Sequence, residues 1–508
     1  MNRSESPEEV EAALRLLARV LGARPAWFLR EGSGARTLEM RAGEWGLSAA
    51  GGALVLRCRG EAGRRAWRVA AWKLEGESLF LEARGPRGRA LLSLVPRALV
   101  ATARAALAEA RRAECERLAA LVSGFARARL ESAGLSAGAR RGEPGRWARL
   151  LLKRGSGARV AATAPVVPAG ADESEDFLAS ALLWLARLED RAGAAQVGGL
   201  WLVAPPALAA AVRERVALLR EDLRARTSVY ELDAEARTLA RVEAPALSEL
   251  LDAPAGRLSR PDCAGPFGLT AGVLALAPGE IDFVRARRGE TLRYLGLPFA
   301  RVRRVAGREH LWFGVEGAGR RLLDDAGAHD LLKLVAELRE HRRADAPDAR
   351  HALYRAAPES WLEALLRRDV TRLDPGLRLA PLHAQLRTSR ARGSARPVDL
   401  LALRRDGRLV VVELKVSEDA SLALQGADYW RRVYNQHRAG HVARARLFGD
   451  AEISDDPPLV YLAAPLLRFH RSFHTLARCV RPEVEIYRFD LNEDWRAGVR
   501  VVRRQRVD

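Results

Sequence analysis

The stretch 396–416, RPVDLLALRRDGRLVVVELKV, constrains the fold most strongly. Two apolar runs flank Asp406-Gly407, a dipeptide typical of the tight turn of a β-hairpin. Strand side chains alternate between two faces, so Glu413 and Lys415 are expected to project from the same side of the second strand. A carboxylate and an ammonium group therefore share one face of an otherwise aliphatic strand.

The number of residues in the turn decides which side chain lies opposite Glu413. A two-residue turn would pair Asp399 with Leu414. A three-residue loop over 405–407, with Gly407 in a left-handed conformation, pairs Asp399 with Glu413 instead, and we predict this register. Adjacent carboxylates repel each other unless a cation lies between them, so the register predicts a metal site. Oxygen ligands without Cys or His nearby favour Mg²⁺ or Mn²⁺.

The order of these residues resembles the PD-(D/E)XK nuclease superfamily, which is restriction-endonuclease-like, and in particular its mismatch- and junction-cleaving branch. The hairpin supplies D-(x)13-E-L-K, and the helix after it carries Gln425 and Tyr429 in LALQGADYW. The helix before it carries Glu359 in PESWLEALL. The resemblance covers roughly residues 350–490. It departs from the family pattern where a valine separates the proline from the aspartate.

The resemblance implies a metal-dependent DNA endonuclease that hydrolyses phosphodiester bonds with Mg²⁺ or Mn²⁺. The implied catalytic residues are Asp399, Glu413, Lys415, Glu359 and Gln425. The implied metal ligands are Asp399, Glu413, Glu359 and the backbone carbonyl of Leu414.

Each remaining side chain of the predicted site has an expected role. Lys415 would orient the attacking water or stabilise the phosphate charge. Glu363 is the alternative to Glu359 as the helix acid. Gln425 would lock the site geometry or contact the substrate backbone, although it could equally be a surface amide. Tyr429 is expected to pack rather than react.

The E-x-K pattern also occurs on solvated edge strands that carry a charge pair, and this reading competes with the metal site. Lysine usage favours the functional reading, because all but four of the 84 Lys and Arg residues are Arg. Lysine is a compact charge whose pKa responds to its surroundings, whereas arginine is not. A lysine at position 415 is therefore a specific choice in this chain.

The charge of the chain predicts a nucleic-acid partner, most simply DNA, although nothing in the sequence separates DNA from RNA. The formal net charge is +20 and the sequence pI is about 10.9. Basic residues near the predicted site are candidates for phosphate contacts: Arg387, Arg390, Arg392, Arg396, Arg431 and Arg432. The alternatives are a solvated loop and a general excess of arginine. A non-catalytic nucleic-acid-binding or scaffold protein that keeps the nuclease fold is the competing function.

The chain is expected to be mixed α/β, with a tandem duplication of a β-rich module followed by a restriction-endonuclease-like domain. Aligning ARVAATAPV with RLVVVELKV puts Thr163 at the position of Glu413 and Pro165 at that of Lys415, with Arg149 at that of Asp399. The first copy would then be degenerate, and the two copies could form an intramolecular pseudo-dimer. The alternative is that any α/β chain shows such a rhythm of elements.

Six segments follow from this reading: an N-terminal helix (1–24), a β-rich module (25–109), the degenerate domain (110–243), a linker (244–263), a second β-rich module with a helix (264–349) and the nuclease-like domain (350–508). The four cysteines are far apart and form no C-x-x-C motif, so we expect reduced thiols and a cytoplasmic protein. We expect neither a signal peptide nor a membrane span. No phosphate-binding G-x-x-x-x-G-K-[ST] motif is present.

Overall fold

The computed structural model describes residues 2–3, 6–31, 37–50, 53–60, 63–85, 88–138, 143–192, 197–233, 235–256, 258, 264–286, 289–315, 320–324, 327–386 and 397–507. They form two compact units, Met1–Ala113 and Glu114–Asp508. Helices and sheets with both parallel and antiparallel pairs confirm the predicted mixed α/β class. The finer domain boundaries stay predictions. Across the described ranges, no helix is both long and apolar enough to cross a membrane.

The first unit is an antiparallel sheet with a helix, α1 (Pro7–Gly22), against its apolar side. Ser6 begins the helix as expected, because its hydroxyl accepts from the Glu9 amide at 3.3 Å and the Glu9 carboxylate accepts from the Ser6 amide at 3.1 Å. Leu17, Leu21 and Trp27 are buried in the core beneath the helix. The strands are β1 (Asn2–Arg3), β2 (Ala26–Glu31), β3 (Thr37–Arg41), β4 (Trp45–Ala50), β5 (Ala53–Gly60), β6 (Gly63–Glu75), β7 (Ser78–Gly85) and β8 (Gly88–Pro96).

The next part of the chain contains a six-stranded sheet. Its elements are α2 (Arg97–Ala126), β9 (Arg129–Ala137), β10 (Pro144–Lys153), β11 (Arg159–Pro165), α3 (Ser174–Ala192), β12 (Val197–Ala204), α4 (Pro206–Val216), α5 (Glu221–Arg226), β13 (Thr227–Asp233), β14 (Thr238–Val242) and α6 (Leu247–Asp252). The strand order is β9 to β14 in sequence.

A five-stranded antiparallel sheet and a second six-stranded sheet follow. The elements of the former are α7 (Gly268–Leu274), β15 (Ile281–Ala286), β16 (Gly289–Tyr294), β17 (Leu297–Val305), β18 (Arg308–Phe313), β19 (Arg321–Leu322) and α8 (Gly327–His341). The elements of the latter are α9 (Ala352–Arg355), α10 (Pro358–Arg368), β20 (His383–Leu386), β21 (Val398–Leu403), β22 (Leu409–Leu414), α11 (Leu422–Arg438), α12 (His441–Arg444), β23 (Leu459–Pro465), α13 (Phe473–Ala477), β24 (Ile486–Leu491) and β25 (Val501–Val507).

The two six-stranded sheets have the same topology. In each, the first three strands pair antiparallel, the next two pairs are parallel, and the last pair is antiparallel. Thr163 lies between Arg149 and Leu202, as Glu413 lies beside Leu462 in the second sheet. The shared topology fits the predicted duplication.

The two halves of the second unit meet through reciprocal contacts. Helices α3 and α11 contribute to one hydrophobic core. After α4 and α13, Leu219 and Val480 form an antiparallel bridge. The Arg220 amide donates to Cys479 O at 2.9 Å, and the Arg481 amide donates to Leu218 O at 3.0 Å. Equivalent residues thus exchange equivalent hydrogen bonds, as at a two-fold interface. This arrangement fits the intramolecular pseudo-dimer that the sequence predicts, which stays a prediction.

Several predicted element boundaries are wrong. The stretch 98–133, rich in Ala, Leu and Arg, predicts one continuous helix, but the helix ends at Ala126, because Arg127 adopts a left-handed φ of 47° that closes it. The edge strand β9 follows it. The sequence also predicts continuous helices over 206–222 and 466–480, and each is interrupted. Part of the predicted linker is the helix α6, and the carbonyl of Leu251 in α6 accepts from Asn435 Nδ2 at 2.7 Å.

Candidate active site

The hairpin between β21 and β22 has the predicted three-residue loop. The Arg404 amide donates to Arg408 O at 2.9 Å, and Gly407 has a φ of 84°, which its missing Cβ permits. Leu400 pairs with Val412, so the next pair outward is Asp399 opposite Glu413. The turn chemistry therefore places both carboxylates side by side on one face of the sheet.

Glu413 is a buried carboxylate with one satisfied oxygen. Its side chain lies on the central strand β22, and the residue is 2% exposed. Lys415 Nζ lies 3.0 Å from Glu413 Oε1, whereas Glu413 Oε2 has no hydrogen-bond partner among the described residues. Burial, and then the charge of Asp399, raise the pKa of Glu413 well above its usual range, against the effect of Lys415.

Lys415 is partly buried among carboxylates. Burial lowers its pKa, but the charges of Glu413 and Glu359 outweigh burial and raise it overall. Asp419 Oδ2 lies 3.8 Å from its ammonium group. Lys415 is therefore protonated at neutral pH and can donate hydrogen bonds, which excludes it as a general base there.

Asp399 is positioned by two donors. The backbone amide of Leu414 donates to Asp399 Oδ2 at 2.9 Å, and Gln385 Nε2 donates to Asp399 Oδ1 at 3.2 Å. Gln385 Nε2 also donates to Glu363 Oε2 at 2.9 Å. The sequence did not predict Gln385 as a site residue. It is a polar residue in the edge strand β20, and the register of β20 with β21 places it opposite Asp399.

Helix α10 brings both of its candidate acids to the site. Glu359 lies in the first turn, where its charge acts on Lys415. Glu363 is 4% exposed, is bridged to Asp399 through Gln385, and lies 3.4 Å from Arg293 Nη1 through its Oε1. Burial raises the pKa of Glu363 and Arg293 opposes that shift. The contacts therefore put Glu363 on the Asp399 side and Glu359 on the Lys415 side.

Gln425 holds the loop that follows Lys415. Its Nε2 donates to Ser421 Oγ at 2.9 Å and to Asp419 Oδ2 at 3.1 Å. Gln425 Oε1 is buried without a partner within the described ranges. Tyr429, one turn further along α11, is 4% exposed and lies in the core with Val411, so it packs as expected.

The predicted nucleic-acid contacts fall into two groups. Arg387, Arg390, Arg392 and Arg396 lie outside the described residues. Arg431 and Arg432 have protein partners: Arg431 Nη2 lies 2.7 Å from Asp428 Oδ1, and Arg432 Nε lies 3.1 Å from Asp428 Oδ2. Their side chains are 14% and 10% exposed. Their contact with nucleic acid stays a prediction.

The residues present fit a hard divalent cation that retains water ligands. In the part of the chain that the structure describes, no three His, Cys, Asp or Glu side chains form a group that could hold a metal ion. Mg²⁺, however, is commonly bound through one or two carboxylates with the rest of its shell completed by water and substrate. Asp399 and Glu413 would supply that pair, and Glu413 Oε2, which has no hydrogen bond among the described residues, would be available to a cation.

No protein-family model and no curated protein matches the chain. Among solved structures, EndoMS in apo form is 14% identical with a TM-score of 0.13, over 40% of this chain and 87% of that one. The EndoMS-dsDNA2 complex is 15% identical with a TM-score of 0.16, over 41% of this chain and 64% of that one. TM-scores this low establish neither a shared fold nor a shared function.

Proposed function

We propose that this protein is a metal-dependent endonuclease that hydrolyses phosphodiester bonds of DNA at the Asp399–Glu413–Lys415 site. One observation carries the proposal: the buried Glu413 on the central strand lies beside the half-buried Asp399 on the neighbouring strand, with an ammonium group on one Glu413 carboxylate oxygen and no hydrogen-bond partner for the other among the described residues.

This pair lacks the features of a structural ion pair. A buried polar atom without a hydrogen bond costs about 1–3 kcal/mol, more if it is charged. The Asp399 charge adds to that cost for Glu413. The ammonium group of Lys415 offsets this cost at Glu413 Oε1 and not at Oε2. Perturbed groups of this kind, held beside a charge partner, are candidates for a functional site.

The chain's own residues prepare the site for a phosphodiester. Asp399 and Glu413 would hold Mg²⁺ or Mn²⁺, which when bound makes water more acidic and offsets phosphate charge. Lys415 donates from Nζ to an anionic oxygen or to the attacking water. Gln385 holds Asp399 in place, and Gln425 holds the 419–421 loop beside Lys415. The roles of Glu359 and of the Leu414 carbonyl as ligands belong to the same proposal.

The overall charge supports an anionic polymer as substrate. A net charge of +20 attracts a polyphosphate backbone over distances set by ionic strength. The hairpin places one positive group, Lys415, directly beside the acid pair. The net charge of the chain would thus attract the nucleic acid, whereas the acid pair would define where a bond is hydrolysed.

The test is cleavage of plasmid, single-stranded and branched DNA by the full chain with Mg²⁺, Mn²⁺ or EDTA. Asp399→Asn removes the charge with little change of shape. Asp406→Asn in the exposed turn of the same hairpin is the matched control. We expect cleavage with metal, loss with EDTA and in Asp399→Asn, and full activity in Asp406→Asn. DNA binding without cleavage in any condition would instead support the non-catalytic nucleic-acid-binding protein or scaffold.

A further inference from the structure

The first six-stranded sheet carries a positive charge where the second carries its acid pair. Arg149 occupies the position of Asp399 and Thr163 that of Glu413, and the two residues pair directly in the sheet. Pro165 replaces Lys415. A positive charge thus occupies the position in the first sheet that a negative charge occupies in the second. This exchange favours an anionic ligand in the first sheet in place of a cation.

Arg149 is partly buried and has no carboxylate partner. Its Nη2 donates to Ser180 Oγ at 3.2 Å, and its Nε has no hydrogen bond among the described residues. Arg187 lies seven residues after Ser180 on α3, and therefore on the same side of the helix. Burial and the charge of Arg187 lower the pKa of Arg149 to about 10. Two like charges thus face each other across this sheet and helix.

Two acids of the same sheet and helix, Glu131 and Glu189, are paired with other arginines. Glu131 Oε2 lies 2.8 Å from Arg159 Nε, and Glu189 Oε1 lies 2.5 Å from Arg226 Nη1. Within the described part of the chain, no ion pair includes Arg149 or Arg187. No carboxylate in that part of the chain is paired with either arginine, whereas the acid pair of the other sheet has Lys415 beside it.

Two further features beside Arg149 are consistent with a ligand. Thr163 is fully buried, and its hydroxyl has no hydrogen-bond partner among the described residues. Gly134, directly opposite Arg149 on β9, has open space within 4 Å of where a Cβ would lie. A hydroxyl without a hydrogen bond and open space therefore adjoin a guanidinium that has no carboxylate partner among the described residues.

We propose that Arg149 and Arg187 form a metal-independent binding site for one phosphate of the nucleic-acid backbone, with Ser180 as a hydroxyl partner. A guanidinium matches the oxygens of a phosphate through parallel N–H donors. The inference rests on the proposed function only in taking a nucleic acid as the ligand. One half of the pseudo-dimer would then hold a backbone phosphate, while the other half hydrolyses a bond.

The experiment measures binding of a labelled DNA duplex, with an RNA duplex in parallel, across a salt series in EDTA. The variants are Arg149→Gln, Arg187→Gln and the double variant. We expect the slope of log K against log salt to fall by about 0.9 in the double variant, the value of one released phosphate contact. Arg149→Lys should retain the slope, because it retains the charge. Arg154→Gln, in the turn of the same hairpin, removes one charge, as each single variant does, and is the control for them.

Equal slopes for the wild type, the double variant and Arg154→Gln would overturn the inference, as would wild-type protein that binds neither duplex. Thermal melting shows whether each variant is folded. Arg187→Gln changes a solvent-exposed side chain and gives an independent measurement if Arg149→Gln unfolds. The same slopes measured in an Asp399→Asn background separate the two proposals. Cleavage that survives Asp399→Asn defeats the proposed endonuclease site and leaves the slope test valid.

Discussion

The side-chain amide of Gln385 donates to Asp399 Oδ1 over 3.2 Å from a backbone with a φ of 53°. Such a left-handed conformation is unfavourable for a residue with a side chain, and it occurs here in an edge strand beside the acid pair. We expect Gln385→Ala to lower cleavage by about 10- to 100-fold and to weaken metal affinity, as loss of a partner that orients a metal ligand does. Activity against Mg²⁺ concentration gives both quantities.

The control for Gln385 lies at the other edge of the same sheet. Gln505 on β25 is in line with Glu413 through Leu462 and Arg488. Gln505→Ala should leave both activity and metal affinity unchanged. Equal effects of the two substitutions would assign the loss to the sheet as a whole rather than to the Asp399 contact.

The acid pair predicts that removal of a charge stabilises the metal-free protein. Opposed like charges in a sheet destabilise it by about 0.2–1 kcal/mol, so Asp399→Asn should unfold at a higher temperature than the wild type in EDTA. Mg²⁺ at 100 times its dissociation constant should stabilise the wild type by about 2.7 kcal/mol and the variant by much less. Melting with and without Mg²⁺ measures both effects, and equal Mg²⁺ shifts would argue against a metal at this pair.

The carboxylate of Asp428 balances the positive charges of several arginines at the interface between the two halves. Arg431 Nη2 lies 2.7 Å and Arg215 Nη2 lies 3.5 Å from its carboxylate, and all three side chains are buried or nearly so. Asp428→Asn removes the carboxylate that these arginines share, although Glu175 still pairs with Arg215 and Glu214 with Arg431. It should destabilise the second unit by up to about 3–5 kcal/mol. Denaturant unfolding measures the loss. Asp252→Asn, at an exposed pair with Arg438, should change stability by less than about 1 kcal/mol.

Asp428 also predicts a loss of stability in acid. Burial raises its pKa, but Arg215, Arg431 and Arg432 outweigh burial and lower it far below the usual range. In the unfolded chain the pKa of an aspartate is about 3.9. The contribution of Asp428 to the free energy of unfolding is therefore complete above about pH 5 and declines as the pH falls further. Unfolding midpoints from pH 6 to pH 3 should fall more steeply in the wild type than in Asp428→Asn. Parallel slopes would show that other carboxylates control acid unfolding.

Gly296 fits a close approach between the second β-rich module and α10. It has a φ of 80°, and a Cβ there would overlap the carbonyl oxygen of Ser360, the residue after Glu359. Gly307 has the same φ but open surroundings. We expect Gly307→Ala to cost about 1–2 kcal/mol, the strain of a left-handed residue, and Gly296→Ala to cost more and to lower cleavage. Melting and activity assays compare the pair, and equal costs would exclude the close approach.

Local patterns in the sequence predicted the hairpin that carries Asp399 and Glu413. They also predicted the equivalent positions in the other sheet. Alternation and Asp406-Gly407 specify the turn, and the turn specifies that Asp399 lies opposite Glu413. The same alternation predicted Arg149 opposite Thr163. These pairings depend on neighbours in the chain, so sequence periodicity carries the information.

Features that depend on distant residues were not predictable. The strand β9 is exposed along most of its length and lies in an Ala- and Arg-rich stretch, so it lacks the alternation of a buried strand. Gln385 becomes part of the site only when β20 pairs with β21. The partners of Arg431 include Glu214 at 3.1 Å, more than 200 residues away. Nothing near Arg431 in the sequence indicates that contact.

The reciprocal hydrogen bonds of Arg220 and Arg481 give this single chain the geometry of a two-fold dimer with unlike halves. A symmetric dimer with two identical sites faces both strands of a duplex in the same way. Here only one half carries the acid pair, so the molecule has a built-in direction. On a duplex it would cleave one strand only, and the orientation in which the protein binds would decide which strand that is.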